Sequence, residues 1–397
     1  MTRRVALFVF ALLFAAACAQ SEAPATPQQF VLGAIYPLSG PQSPGGKNEL
    51  AGVEAALRAS NAHVRLQVID ATTPQAAAAA VDTLVKRYHV PAILGTYGST
   101  LSAAASERAE ELKTVYWETG AVADPITAQR HYVFRTVATG GALGRMAVTF
   151  TREVLVPEYR LTRPRAVIVR VNDVYGRSVG GGEEALARLV AIDVVDVIEY
   201  NPYAFDAEAI TARLAQDRAD FLWDVSYLDD GVAIWTSILQ AHLTFKGAIG
   251  TSSAFCMPAF SRLLGAGSVG VFAADKPDAA INPDALSASG RELLARAKAA
   301  FTGGTMDIPA VAGFVGGWTL FHDVLPNVAG AVSAESIRAA ALEVDVPVGD
   351  SINGGGVKFA GQGALDEGQN TRAAAVVGQW QAVGVMKVLY PPPYAEG

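Results

Sequence analysis

The chain has 397 residues, more than one ordinary hydrophobic core accommodates, so about two domains are expected. With 51% hydrophobic and only 17% charged residues, the composition excludes long disorder. The net charge is −7 and no basic block follows Arg4, which argues against nucleic acid as a partner.

The first segment reads as a targeting peptide. Arg3 and Arg4 precede an apolar run over 5–14, and Ala15-Ala16-Ala17 leads into Cys18. The run is too short to span a bilayer, so residues 1–17 are expected to be a signal peptide. Cys18 stands where a bacterial lipoprotein places its lipidated cysteine, although Ala15 takes the place usually held by Leu. The expectation is a membrane anchor at Cys18 and a polar tether over 18–29. Ordinary cleavage at the alanines is the alternative. Cys256 is the only other cysteine, so no disulfide framework is expected, and Cys256 reads as a small buried residue. The five histidines are scattered without metal-ligand spacing; neither metal nor cofactor is expected.

Apolar periodicity then predicts strand 30–36, helix 48–59, strand 64–70, helix 75–88, strand 92–94, helix 101–112 and strand 114–117. This alternation predicts a parallel sheet with helices on both faces, which binds ligands at the carboxyl ends of its strands. Loops 37–46, 95–100 and 118–124 share that edge. The stretch 90–121 is the most informative. Gly95 and Gly98 permit a tight turn or a close approach to a ligand. Ser99 and Thr100 begin the next helix, where unpaired N–H groups and the dipole favour a carboxylate. The plain alternative is an N-cap.

After strand 131–135 the pattern restarts: helix 140–155, strand 166–171, helix 178–189, strand 194–200, helix 207–217, strand 221–225, helix 231–241, and strands 247–250 and 269–272. This is a second α/β unit of similar size. Helices 286–301, 311–328 and 334–342 follow with no strand between them and are expected to return to the first unit. Short strands at 357–359, 373–380 and 383–389 end the chain. The triplets Gly180-Gly181-Gly182 and Gly354-Gly355-Gly356 lack the frame of a phosphate loop. No nucleophile–base–orienter set is visible, so no enzyme is expected.

Five local stretches in order carry a resemblance: Gly33-Ala-Ile-Tyr-Pro-Leu-Ser-Gly-Pro41, Ala92-Ile-Leu-Gly-Thr-Tyr-Gly-Ser-Thr100, Phe134-Arg-Thr136, Asp173-Val-Tyr-Gly176, and the run from Gly356-Val-Lys-Phe359 to Gln379-Trp-Gln381. Together they resemble the periplasmic type I solute-binding proteins of ABC importers, the leucine/isoleucine/valine-binding family. The resemblance implies two doubly wound parallel-sheet α/β lobes joined by a multi-strand hinge. Lobe 1 would comprise 30–136 plus 275–350, and lobe 2 would comprise 137–274 plus 351–397. It implies a monomer outside the cytoplasm that closes on a small solute, an amino acid, amide or related metabolite, and docks on an importer permease. Ser99, Thr100 and the backbone at Gly120 and Ala121 would hold a carboxylate, Tyr175 would cover the ligand, and Tyr36 would line the mouth. Ser252, in the lobe 2 loop, is a further candidate contact.

Two departures bear on the ligand. The lobe 2 loop Thr251-Ser-Ser-Ala-Phe255 lacks the acid that the family pairs with an ammonium. The loop after the fourth strand reads Trp117-Glu-Thr-Gly-Ala-Val122, placing Glu118 and Thr119 where the family differs. Glu118 is expected to take an ammonium, exclude anions or meet a donor-rich ligand; pairing with Arg135 or Arg145 is its structural alternative. Tyr97 and Trp117 are candidate stacking surfaces or simple packing. Asp224, Tyr227, Asp229 and Asp230 follow a strand of the second unit, where one of them could face the cleft; solvated acids at a helix start are the default reading. The rival function for such a fold is an interaction protein: a lipoprotein activator of peptidoglycan synthases, or a ligand sensor docking on a receptor.

Overall fold

The computed structural model describes residues 30–396. The expected signal peptide, tether and Cys18 lie outside the described residues. In chain order the elements are β1 (Phe30–Tyr36), α1 (Ser43–Ser60), β2 (Val64–Asp70), α2 (Pro74–Tyr88), β3 (Ala92–Gly95), α3 (Ser99–Glu111), β4 (Val115–Glu118) and β5 (Val133–Arg135). There follow α4 (Gly140–Phe150), a short α5 (Val156–Glu158), β6 (Arg165–Val171), α6 (Val174–Leu189), β7 (Asp193–Tyr200), α7 (Ala207–Asp217), β8 (Phe221–Val225) and α8 (Leu228–Gln240). The remainder comprises β9 (Gly247–Thr251), α9 (Pro258–Leu264), β10 (Phe272–Asp275), α10 (Ala288–Ala300), α11 (Ile308–Trp318), α12 (Ala334–Leu342), β11 (Asp345–Val346), β12 (Val357–Lys358), β13 (Val376–Ala382) and β14 (Val385–Tyr390).

The first sheet runs β2-β1-β3-β4-β5, all parallel. Along β1, Leu32, Ala34 and Tyr36 enter one core and Ile35 enters the other, the period-two alternation of a strand buried on both faces. The second sheet runs β14-β13-β10-β9-β8-β6-β7; its first two strands are an antiparallel addition to five parallel ones. The two lobes are doubly wound α/β units, as the alternation predicts.

The differences from the sequence reading have local causes. Helix α1 begins at Ser43 because Pro44 suits the first helical turn. Helix α6 begins at Val174, where the Asp173 carboxylate accepts the Gly176 N–H at 2.9 Å, so Tyr175 lies in a capped first turn. Strand β10 starts at Phe272 rather than at 269. The apolar run 271–274 has no period to set its phase, and Gly270, at φ +89°, turns the chain just before it.

Helices α10–α12 cover the first sheet: Ala297, Phe314 and Ile337 share a core with Leu32 and Trp117. Ile352, Val357 and Phe359 join the same core, and Gln369 pairs with Arg135 of β5. Residues 352–369, expected with lobe 2, therefore pack on lobe 1, and only β13 and β14 return to the second sheet. The chain thus passes between the sheets three times: after β5, after β10 and before β13. The stretch Ile308–Asn327 is long and apolar enough to cross a membrane, but most of it is buried in this lobe 1 core.

Helices α1 and α11 meet almost backbone to backbone. A Cβ on Gly313 would strike the Glu49 carbonyl, and one on Gly52 would strike the Ala310 carbonyl. Gly313→Ala is expected to lower unfolding free energy by about 1–3 kcal/mol, the usual cost of overpacking, in urea titrations. An unchanged midpoint would show that the helices can separate freely.

Candidate functional site

The carboxyl ends of the parallel strands in both lobes face one another, the usual binding edge of such sheets. Between them lies an inner cavity of about 30 Å³. Lobe 1 contributes Tyr97, Ser99 and the loop Gly120–Val122; lobe 2 contributes Tyr175, Tyr227, Ser252, Ser253 and Lys276. Of the expected site residues, Tyr97, Ser99, Gly120, Ala121, Tyr175 and Ser252 are thus brought together.

The lobe 1 wall depends on backbone geometry. Gly95 has φ +136°, and a Cβ there would collide with the Ile35 carbonyl, so β3 can turn abruptly into the loop. Gly98, rather than Ser99 or Thr100, is the N-cap of α3. The Ser99 hydroxyl accepts the Ala123 N–H at 3.2 Å, and Thr100 Oγ1 donates to Asp173 Oδ2 at 3.1 Å across the cleft. Thr100 therefore bridges the lobes and lies outside the inner cavity. Tyr227 donates to the same Asp173 oxygen at 2.6 Å. A third contact, Tyr97 Oη to Ser253 Oγ at 3.5 Å, also links lobe to lobe.

Glu118, Thr119 and Tyr36 lie behind this wall rather than in it; each is fully buried. Glu118 accepts the hydroxyls of Ser102 and Tyr116, and one of its oxygens accepts the N–H groups of Gly120 (2.8 Å) and Ala121 (2.7 Å). The expectation that these two N–H groups receive a ligand carboxylate is corrected: a carboxylate of the chain already occupies them. The expectation that Glu118 meets a ligand, or pairs with Arg135, is corrected for the same reason. Arg135 instead donates to Gln369, the Ala123 carbonyl and Thr127, and burial pushes its pKa down to about 10. Thr119 joins Tyr36 to Glu49: the Tyr36 and Thr119 hydroxyls are 2.8 Å apart, and Thr119 donates to Glu49 Oε1 at 2.5 Å. Burial, and then the charge of Glu118, raise the Glu49 pKa well above the usual carboxylate range. Trp117 is a core residue, with its indole N–H donated to the Gly316 carbonyl at 2.8 Å and its ring against Phe134 and Phe359.

In lobe 2, Tyr175 donates to the Thr251 carbonyl and its ring packs 5.2 Å from that of Tyr227. Lys276 was missed from sequence because β10 was placed three residues early, leaving Asp275-Lys276 off the strand edge. Its ammonium is 3.1 Å from Asp275 and donates to the Gly120 carbonyl of lobe 1 at 3.3 Å. Burial lowers its pKa, and Asp275, Cys256 and Glu49 together more than offset this, so the ammonium titrates above the ordinary lysine value. The second Asp275 oxygen accepts the Cys256 thiol at 2.7 Å, so Cys256 is small and buried, as expected, but also polar-bonded. Lys276 is the sole charged side chain on the inner lining.

Asp224 and Asp230 are not solvated. Both are buried, and Tyr200 and the Tyr227 N–H bond to Asp230. Burial raises Asp224, despite its Ser226 hydrogen bond, and its neighbour Glu183 to about 8 each. The folded state thus holds protons that the unfolded chain releases near pH 4. Their stabilising contribution is complete below that pH and is lost as pH rises towards 8. Asp224→Asn is expected to melt increasingly above wild type as pH goes from 5 to 8.5; a pH-independent difference would contradict this. Among the described residues no cluster of His, Cys, Asp or Glu could hold a metal ion.

Two lobes that close on an inner cavity between the carboxyl ends of their strands form a solute-binding architecture. The chain belongs to the periplasmic binding protein family, whose model matches residues 29–382. It is 28% identical over 371 residues to the Leu/Ile/Val-binding protein homolog 8 of Brucella abortus, covering 90% of each chain. Its fold is similar to the leucine binding protein LivK of Thermotoga maritima (TM-score 0.77, 17% identity, covering 90% of this chain and 97% of that one). It is also similar to an R. palustris ABC transporter solute binding protein in complex with benzoate (TM-score 0.75, 18% identity, 93% and 98%). The family is non-enzymatic and extracytoplasmic, and it binds small molecules for ABC transporters.

Proposed function

We propose that this protein closes its lobes on a small carboxylate-bearing solute and delivers it to an ABC importer. The observation that carries this reading is the inner lining: one ammonium, from Lys276, with the hydroxyls of Ser99, Ser252 and Ser253 and the first turn of α3, and no carboxylate. An anion there gains charge-assisted hydrogen bonds and a favourable helix dipole. An ammonium would meet a like charge with no acid to pair with it, which argues against an ordinary α-amino acid seated wholly inside. Benzoate, held by the R. palustris relative, has the required chemistry. A lipid anchor at Cys18 would keep the protein at the membrane beside its permease, and loss of palmitate labelling in Cys18→Ser tests it.

Calorimetric titration of unfolded-and-refolded, ligand-free protein with benzoate and benzamide tests the reading. Benzoate is expected to bind at least about tenfold more tightly, the scale of one charged hydrogen bond. Equal affinities, or a preference for the amide, would overturn it.

A further inference from the structure

Outside the inner cavity the cleft widens into a second compartment of about 880 Å³, within the ~300–1,000 Å³ of typical small-molecule sites. Tyr97, Tyr227 and Ser253 line both compartments, so they share one wall. The cross-cleft contacts in that wall, Tyr97 Oη to Ser253 Oγ (3.5 Å) and to Met257 Sδ (3.9 Å), are longer than those made by Thr100 (3.1 Å) and Lys276 (3.3 Å).

The two compartments have opposite chemistry. The inner one has an ammonium and no carboxylate. The outer one is lined by Asp173, Asp229 and Asp230 and by no lysine, arginine or histidine. It also offers the rings of Tyr203 and Phe205, and the buried Oε1 of Gln42, which has no hydrogen-bond partner. Size sharpens the contrast. A water needs roughly 10–15 Å³ of such space, so an inner cavity of about 30 Å³ admits little more than a carboxylate head.

We propose that the solute is bipartite: its carboxylate sits at Lys276, and its body extends past Tyr97 and Tyr227 into the outer compartment, ending in an amine or other N–H donor near Asp229. This rests on the carboxylate reading above and assigns the outer compartment as the subsite that selects an elongated zwitterion over a compact acid. The aromatic rings receive the apolar body, and the carboxylates complement a cationic end.

Titrations with glycyl-L-phenylalanine, its N-acetyl derivative and benzoate decide it. The dipeptide is expected to bind at least about tenfold more tightly than benzoate, and acetylation of its amine should remove most of that gain. The double variant Tyr203→Ala/Asp229→Asn is expected to weaken the dipeptide at least about fivefold more than it weakens benzoate, which has no amine to meet Asp229. Benzoate binding as tightly as the dipeptide, or a double variant that affects neither, would overturn the proposal and leave the carboxylate reading standing. Failure of all three acids to bind would overturn both.

Discussion

Lys276→Gln is expected to weaken benzoate binding by about 30-fold or more, because truncating one member of a buried, hydrogen-bonded charge pair costs ~2–5 kcal/mol. The variant also removes the ammonium from Asp275, 3.1 Å away, and leaves that carboxylate buried. The unliganded protein should therefore melt lower as well. Adding Asp275→Asn separates the effects: the double variant should regain thermal stability without regaining affinity. If the double variant binds benzoate as wild type does, Lys276 serves the fold and not the solute.

Glu118→Ala is expected to cost about 3 kcal/mol or more in urea unfolding. It strands the Gly120 and Ala121 N–H groups in a dry interior, each worth ~1–3 kcal/mol when left unsatisfied, while the Ser102 and Tyr116 hydroxyls keep each other as partners. Glu118→Gln keeps an oxygen for the Gly120 and Ala121 N–H groups and should lose about 1 kcal/mol. Benzoate affinity of the glutamine variant should follow wild type, because the side chain lies behind the wall. A large affinity loss at unchanged stability would restore Glu118 to the ligand.

How far the sequence led depended on the kind of signal. The alternation of strands and helices was enough for two doubly wound lobes, and the small-hydroxyl loop before α3 was enough to place Ser99 at the cleft. Orientation was harder. Glu118 stands at a strand end on the binding edge, yet its side chain turns inward; only the nearby donors of Ser102, Gly120 and Ala121 explain that, and they converge through the fold. Lys276 was lost through phase, since an unbroken apolar run ending in Asp275 gives no register. The packing of Ile352 and Phe359 on lobe 1 was also hidden, because short strands between glycines match either sheet equally well.

The contacts that join the lobes make one further point. Thr100 to Asp173, Tyr97 to Ser253 and Lys276 to the Gly120 carbonyl are bonds of the chain to itself and include no atom of a solute. Whatever they contribute to holding the clamp shut is added equally to every molecule that permits closure. Such bonds strengthen retention but cannot discriminate, because specificity is a difference between affinities. Mutating Thr100 would therefore rescale the whole ligand series together, whereas changes at Lys276 or in the outer compartment would reorder it. Grip and choice are separate contributions in this cleft, and Lys276, which bonds the Gly120 carbonyl and also faces the inner cavity, makes both.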